Sequence, residues 1–152
     1  MKHVIIALSL LTFAQVSTGA SSTELKPAPA ADSTVARLDT FNQQLLVIQQ
    51  TWSVNNYQLQ GGAQATAFEA LLAQTTQFTR DYPQRAEAWV WQGIVQSTFA
   101  GIKGGLGALS LAKAAKQSLE TAIKLDPAAL AGSAFTSLGT LYHKVPSWPI
   151  GF

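Results

Sequence analysis

The sequence contains no cysteine. No disulfide can form and no thiol can serve as nucleophile or metal ligand, so stability has to come from packing. Histidine is nearly absent as well. His3 and His143 are the two copies, too few with no cysteine to suggest a zinc site. Charge is sparse, at 12% of residues, against about 25% in an ordinary soluble domain. Ten basic residues face eight acidic ones. Setting Lys2 aside leaves a balance near +1, which gives no electrostatic footprint for nucleic acid or for an anionic membrane surface. There is no G-x-S-x-G elbow, and the acidic residues are scattered. "GIKGGLG" lacks the Gly-Lys-Ser/Thr ending and the preceding strand of a phosphate loop. No cofactor is expected, and the chain does not read as an enzyme. A small secreted hydrolase would need a catalytic cluster that the residues do not offer.

The first twenty residues, "MKHVIIALSLLTFAQVSTGA", join a basic start at Lys2 to an apolar run from Val4 to Ala14 and a small-residue end. This is the pattern of a secretory signal peptide, with the cut expected after Ala20. The alternative, an uncleaved anchor, is disfavoured because a membrane span needs ~20 apolar residues. With no cysteine after the cut, a lipid anchor is excluded. "SSTELKPAPAADS" then reads as a flexible tether over 21–32.

From there the periodicity is helical. Leu38, Phe41, Leu45, Ile48 and Trp52 step by three and four, which marks one face of an amphipathic helix. The pattern predicts helices over 33–59, 64–80, 84–100, 108–125 and 129–143. Asp32 or Ser33 is expected to cap the first, Asp81 the third and Asp126 the fifth. Phe135, Leu138, Leu141 and Tyr142 are expected inward on the fifth. The four glycines of "AGIKGGLGAL" predict a loop or loosened helix end between the third and fourth. No segment alternates with a strand period for long. The fold class is all-α, and 33–152 forms one domain.

Two segments look alike. One holds Trp89-x-x-Gln92-Gly93 and, later, Ala115, Leu119, Ala122 and Pro127. The other is Phe135-x-x-Leu138-Gly139-x-x-Tyr142. Both fit in part the tetratricopeptide pattern of a large residue, Leu-Gly, an aromatic, then Ala, a large apolar residue, Ala and Pro. Small residues let antiparallel helices approach, and large ones fill the space between them. Gln92 stands where the pattern has Leu, and Pro83 to Pro127 exceeds the usual ~34-residue period. The expected architecture is a short solenoid of stacked tetratricopeptide-like hairpins, and the alternative is a generic helical bundle. Residues 80–152, above all "SLGTLYHKVPSWPIGF", resemble a family of exported bacterial tetratricopeptide-type proteins. That family is akin to the periplasmic helper components of tripartite ATP-independent transporters. His143 and Ser147 depart from the Tyr and Gly that the resemblance implies. It also implies that "VPSWPIGF" leads into a further helix, so the sequence is expected to break off within a repeat, either as a truncated product or as a copy that ends early.

The functional expectation is recognition. A protein or peptide partner, a transporter component among the candidates, would dock on a concave helical surface in the periplasm or outside the cell. The alternative is a transporter-associated component handling a small solute. Candidate contact residues are Trp91, Lys103, Tyr142, Trp148 and Phe152. Trp89 and Trp91 point roughly 200° apart on a helix, so Trp89 is expected in the repeat core and Trp91 is freer to line a groove. Residues 135–152 carry enough apolar surface to drive self-association. The exported species is expected to begin at Ser21. Intact mass measurement of periplasmic protein checks this, and a mass retaining residues 1–20 would refute the signal peptide.

Overall fold

The structure, a computed structural model, describes residues 31–145, with side chains from residue 34. Five helices account for almost all of it: α1 (Ala31–Tyr57), α2 (Gly61–Asp81), α3 (Ala86–Lys103), α4 (Gly105–Leu125) and α5 (Ala129–Lys144). Among the described residues there is no strand, and the chain is an all-α stack. The helices match the five that the periodicity predicts, with shifted ends.

The shifts have physical causes. The glycine-rich stretch is not a loop, because only Gly104 separates α3 from α4. Gly104 and Gly105 take φ of +63° and +59°, the left-handed region open to glycine. Gly101 and Gly107 lie inside helices, where packing of α3 on α4 overrides their weak propensity. Asp81 does not cap α3. It ends α2, where its Oδ1 accepts a hydrogen bond from Gln77 Nε2 at 2.8 Å. The residue before α3 is Arg85, which makes no side-chain cap. Asp32 and Ser33 fall in the first turn of α1 rather than ahead of it. Asp126 does work at a turn, its Oδ1 accepting the backbone N–H of Ala128 at 2.9 Å. Leu130, Ala131 and Gly132 then form a left-handed turn, with φ from 49° to 74°. Right-handed helix resumes beyond it. Leu130 packs against the core there, which offsets part of the ~1–2 kcal/mol per residue that this conformation costs.

Side-chain pairs fix the order of packing. Phe41 stacks on Phe78 at 5.0 Å, and Asn55 Nδ2 donates to the carbonyl of Ala67, so α1 and α2 run antiparallel. Phe68 against Phe99 and Gln92 against Thr76 set α2 and α3 antiparallel. Ser118 on Gln96 does the same for α3 and α4. Next-but-one helices are parallel: Trp52 Nε1 donates to Thr98 Oγ1, 46 residues further on, and Arg85 lies 3.8 Å over the Phe41 ring. Helices α1, α3 and α5 therefore share one layer and α2 and α4 the other. The two outer-layer helices do not pack on each other.

Helix α3 sits between two cores. Towards α1 and α2, Ala88, Val95 and Phe99 join Phe41, Ile48, Phe68, Leu71 and Phe78. Towards α4 and α5, Val90 and Ala100 join Ala115, Leu119, Ala122, Ala134 and Leu141. The second core is rich in alanine because α3 and α4 come very close. A Cβ built on Gly93 would lie 2.6 Å from Leu119 Cγ and 3.2 Å from the Ala115 carbonyl oxygen. Ala115 and Leu119 are both fully buried, where the sequence pattern places them.

Several inward expectations fail at the ends of the stack. Leu38, Phe135 and Tyr142 are exposed, at 44%, 53% and 47%. The packed stripe is Ala134, Leu138 and Leu141 on α5 with Val145 just beyond it, and Phe135 lies on the exposed side of the helix. The two repeat glycines therefore differ. A Cβ on Gly139 would meet nothing within 4 Å. Gly93→Ala should lower stability by ~1–3 kcal/mol through overpacking. Gly139→Ala should raise it by up to ~1 kcal/mol through helix propensity. Thermal melts of the two variants check this, and shifts of the same sign would refute the packing assigned to α3 and α4.

Candidate functional site

Two polar grooves flank α3. The first lies in the three-helix layer, between α3 and α5. Ile94, Ser97 and Thr98 form one wall, and Thr136, Ser137, Thr140 and Lys144 form the other, around a volume of about 290 Å³. It continues into a wider groove of about 620 Å³ that shares Ser97, Thr98, Leu141 and Lys144. The floor of that wider part is the α3–α4 turn, with Ala100, Gly101, Gly104, Gly105 and Ala108.

Three of the hydroxyl groups in this trough have their hydrogens committed. Ser97 and Thr98 both donate to the Ile94 carbonyl, at 2.9 and 2.8 Å, and Thr140 donates to the Thr136 carbonyl at 3.0 Å. The Ser97 and Thr140 oxygens keep lone pairs for an incoming N–H or O–H donor, whereas Thr98 Oγ1 already accepts from Trp52 Nε1. Lys144 is the one charged residue in the described lining. The surface therefore suits a neutral, hydrogen-bond-donating ligand.

The second groove lies on the opposite side, between α2 and α4, with α3 as its floor. Gln92 and Gln96, one helical turn apart on α3, are both buried. Gln92 Nε2 donates to Thr76 Oγ1 at 3.1 Å, and Gln96 Oε1 accepts from Ser118 Oγ at 2.9 Å. Gln92 Oε1 is buried with no partner. Thr76 Oγ1 already donates to the Leu72 carbonyl, which fixes the Gln92 amide in this orientation. Arg80, Trp89, Gln117 and Thr121 rim a space of about 420 Å³ above it. The sequence shows Gln92 only as a departure from a leucine position. Its polar neighbours come from three helices, and no single stretch brings them together.

The candidate contact residues are dispersed. Trp91 is half-buried in the first core, edge-on to Trp52 at 6.0 Å. Its Nε1 is buried without a partner, so much of the ring is used in packing. Trp89 joins the opposite core, and its Nε1 donates to the Pro83 carbonyl at 2.9 Å. Lys103 is exposed at the end of α3, with its Nζ 5.4 Å from the Phe99 ring centroid. Tyr142 lies on the exposed side of α5, close enough to Lys116 to contribute, after Glu120, to holding that ammonium above its ordinary range. Trp148 and Phe152 lie outside the described residues.

Glu87 and Glu120, which read in the sequence as solvated faces, are both paired. Glu87 bonds Arg85 at 3.0 and 3.2 Å, and this hydrogen bonding holds its carboxyl below the usual range despite partial burial. Glu120 pairs with Lys116. Among the described residues no group of three His, Cys, Asp or Glu could hold a metal ion. No described helix is long and apolar enough to cross a membrane. Comparison with known proteins finds no family model, no curated protein and no solved structure that matches the chain.

The unpaired Gln92 oxygen gives a direct test of the second groove. An unsatisfied buried acceptor costs ~1–3 kcal/mol. Gln92→Leu should therefore raise stability by roughly 1 kcal/mol. Denaturant unfolding checks this. A loss of stability would mean that the amide is held by partners that outweigh its desolvation.

Proposed function

We propose that the protein is an exported, non-catalytic scaffold of tetratricopeptide type. It holds a protein or peptide partner in an extended form along the layer of α1, α3 and α5. In stacked helical pairs an extended inner face is the usual binding surface. The observation that carries this reading is the trough between α3 and α5. It is open, nearly neutral, and lined by five hydroxyl groups, of which those of Ser97, Thr98 and Thr140 point their own hydrogens to backbone carbonyls. An extended chain offers backbone N–H groups at regular spacing, and those are the donors such a lining lacks. A small solute would be better served by an enclosed pocket. Export is supported by the N-terminal pattern, and the tetratricopeptide assignment by the order of Leu119, Pro127 and Gly139 in the chain. Two further features agree with it: parallel next-but-one helices and the tight Gly93–Leu119 contact.

The test is capture from periplasmic extract with three baits. Thr140→Arg places a long cation in the trough. Ala73→Arg places the same change on the exposed side of α2. Both are surface changes that should alter stability by no more than ~0.5 kcal/mol. The partner should be retained by the unmodified chain and by Ala73→Arg, and lost with Thr140→Arg. Retention by Thr140→Arg would overturn the trough as the binding surface.

A further inference from the structure

The hydroxyl trough has an aromatic neighbour. Thr98, on its α3 wall, accepts a hydrogen bond from Trp52 Nε1 at 3.1 Å. The Trp52 indole therefore abuts the trough from the α1 side. Trp52 in turn meets two further rings. Tyr57 lies at 5.9 Å with an interplanar angle of 87°, and Trp91 of α3 at 6.0 Å with an angle of 72°. Trp52 and Trp91 are half-buried against the first core. Tyr57 is 74% exposed. The three rings form a shelf between α1 and α3, continuous with the trough between α3 and α5.

Shelf and trough differ in what they offer a peptide backbone. In the trough, the Ser97 and Thr140 oxygens have lone pairs for incoming N–H groups. On the shelf, an indole is a donor only. Trp52 Nε1 is spent on Thr98, and Thr98 Oγ1 both accepts that bond and donates to the Ile94 carbonyl. Trp91 Nε1 is buried. A backbone N–H laid over the two indoles would lose water and gain no acceptor. Proline is the residue without that N–H. Its preset φ also favours the extended, left-handed conformation in which proline-containing segments dock on aromatic grooves.

We propose that the partner's extended segment carries a proline that seats on the Tyr57–Trp52–Trp91 shelf, while N–H groups further along it bond to Ser97 and Thr140. The proposal rests on the trough as the binding surface and names the chemistry of what it holds. Neighbouring helices lie about 8–10 Å apart, so the step from α5 to α1 is roughly 20 Å. At ~3.1 Å per residue, about six residues cross it, one end on hydroxyls and the other on rings. Neither end calls for a charged residue, in keeping with a lining whose one charged side chain is Lys144.

The experiment measures fluorescence anisotropy of two labelled ten-residue peptides, each titrated with the whole chain. One alternates serine with proline and the other serine with alanine, so they differ only at the residues meant for the shelf. The serine–proline peptide should bind roughly tenfold more tightly. Tyr57→Ala removes an exposed ring and should weaken that peptide roughly fivefold, the mark of an interface anchor, and leave the serine–alanine peptide unchanged. Equal binding of the two peptides, or no binding of either, would overturn the proposal. So would a dimer seen by light scattering that Tyr57→Ala dissociates, since the occupant of the shelf is then a second copy. Thr140→Arg separates this proposal from the trough reading beneath it. Equal binding that Thr140→Arg abolishes removes the shelf and leaves the trough standing. A proline preference that survives Thr140→Arg removes the trough and upholds the shelf.

Discussion

The contact between Gly93 and Leu119 is the constraint on which the rest of the stack depends. A Cβ at Gly93 would sit 2.6 Å from Leu119 Cγ, so the two helix axes can approach this closely only because residue 93 has no side chain. That approach brings Ala100, Ala112, Ala115 and Ala122 into one alanine-rich core. It also exposes a surface of the α3–α4 pair on which α5 can lie. A wider separation would open voids at each alanine, and interiors tolerate such voids poorly. The one-residue break at Gly104 follows from the same closeness. Two helices that nearly touch along their length can be joined by very little chain, provided that the joining residues accept positive φ.

The parts of this contact were legible in the sequence, where the small Gly93 and Ala115 read as positions of close helix approach and Leu119 as a residue that fills the space between helices. The helices were legible for a related reason, since each carries an apolar stripe of the right period. What escaped was the consequence of neighbours. Leu38 and Phe135 fit an apolar stripe as well as Phe41 or Leu141 does, yet they lie where no described helix covers them. Periodicity reports which residues share a face, and only the packing reports whether that face has a partner. The glycine stretch misled in the opposite sense. Weak intrinsic propensity pointed to a loop, and tertiary packing of α3 on α4 kept three of its four glycines in helix.

The candidate site divides along the same line. Trp89 and Trp91 had to point apart, and the structure sends them to different cores. The groove-lining residues were not recoverable from local pattern. Ser97, Thr98, Ser137 and Thr140 are ordinary helix residues in the sequence. They become a surface only when α5 settles beside α3, more than 30 residues further along the chain. Gln92 was visible as an anomaly, a polar residue in an apolar position. Its meaning depends on Thr76 from α2 and on the Gln96–Ser118 pair beside it.

Low charge gives these observations a common consequence. The two resolved ion pairs, Arg85–Glu87 and Lys116–Glu120, join residues two and four apart. Partly exposed pairs of this kind contribute at most ~1 kcal/mol each and cannot select one arrangement of helices over another. Register between helices must then come from shape and from directional hydrogen bonds. Shape is supplied by the glycine and alanine contacts of α3 with α4. Direction is supplied by the Trp52–Thr98, Asn55–Ala67, Gln92–Thr76 and Ser118–Gln96 bonds, one for each of four helix pairs. A buried amide or hydroxyl in the wrong register loses its partner and costs ~1–3 kcal/mol, so each bond penalises slippage more than it rewards folding. The same economy of charge extends to the surface. A partner would meet amides, hydroxyls and small apolar patches, and its discrimination would depend on fit and hydrogen-bond geometry rather than on long-range attraction.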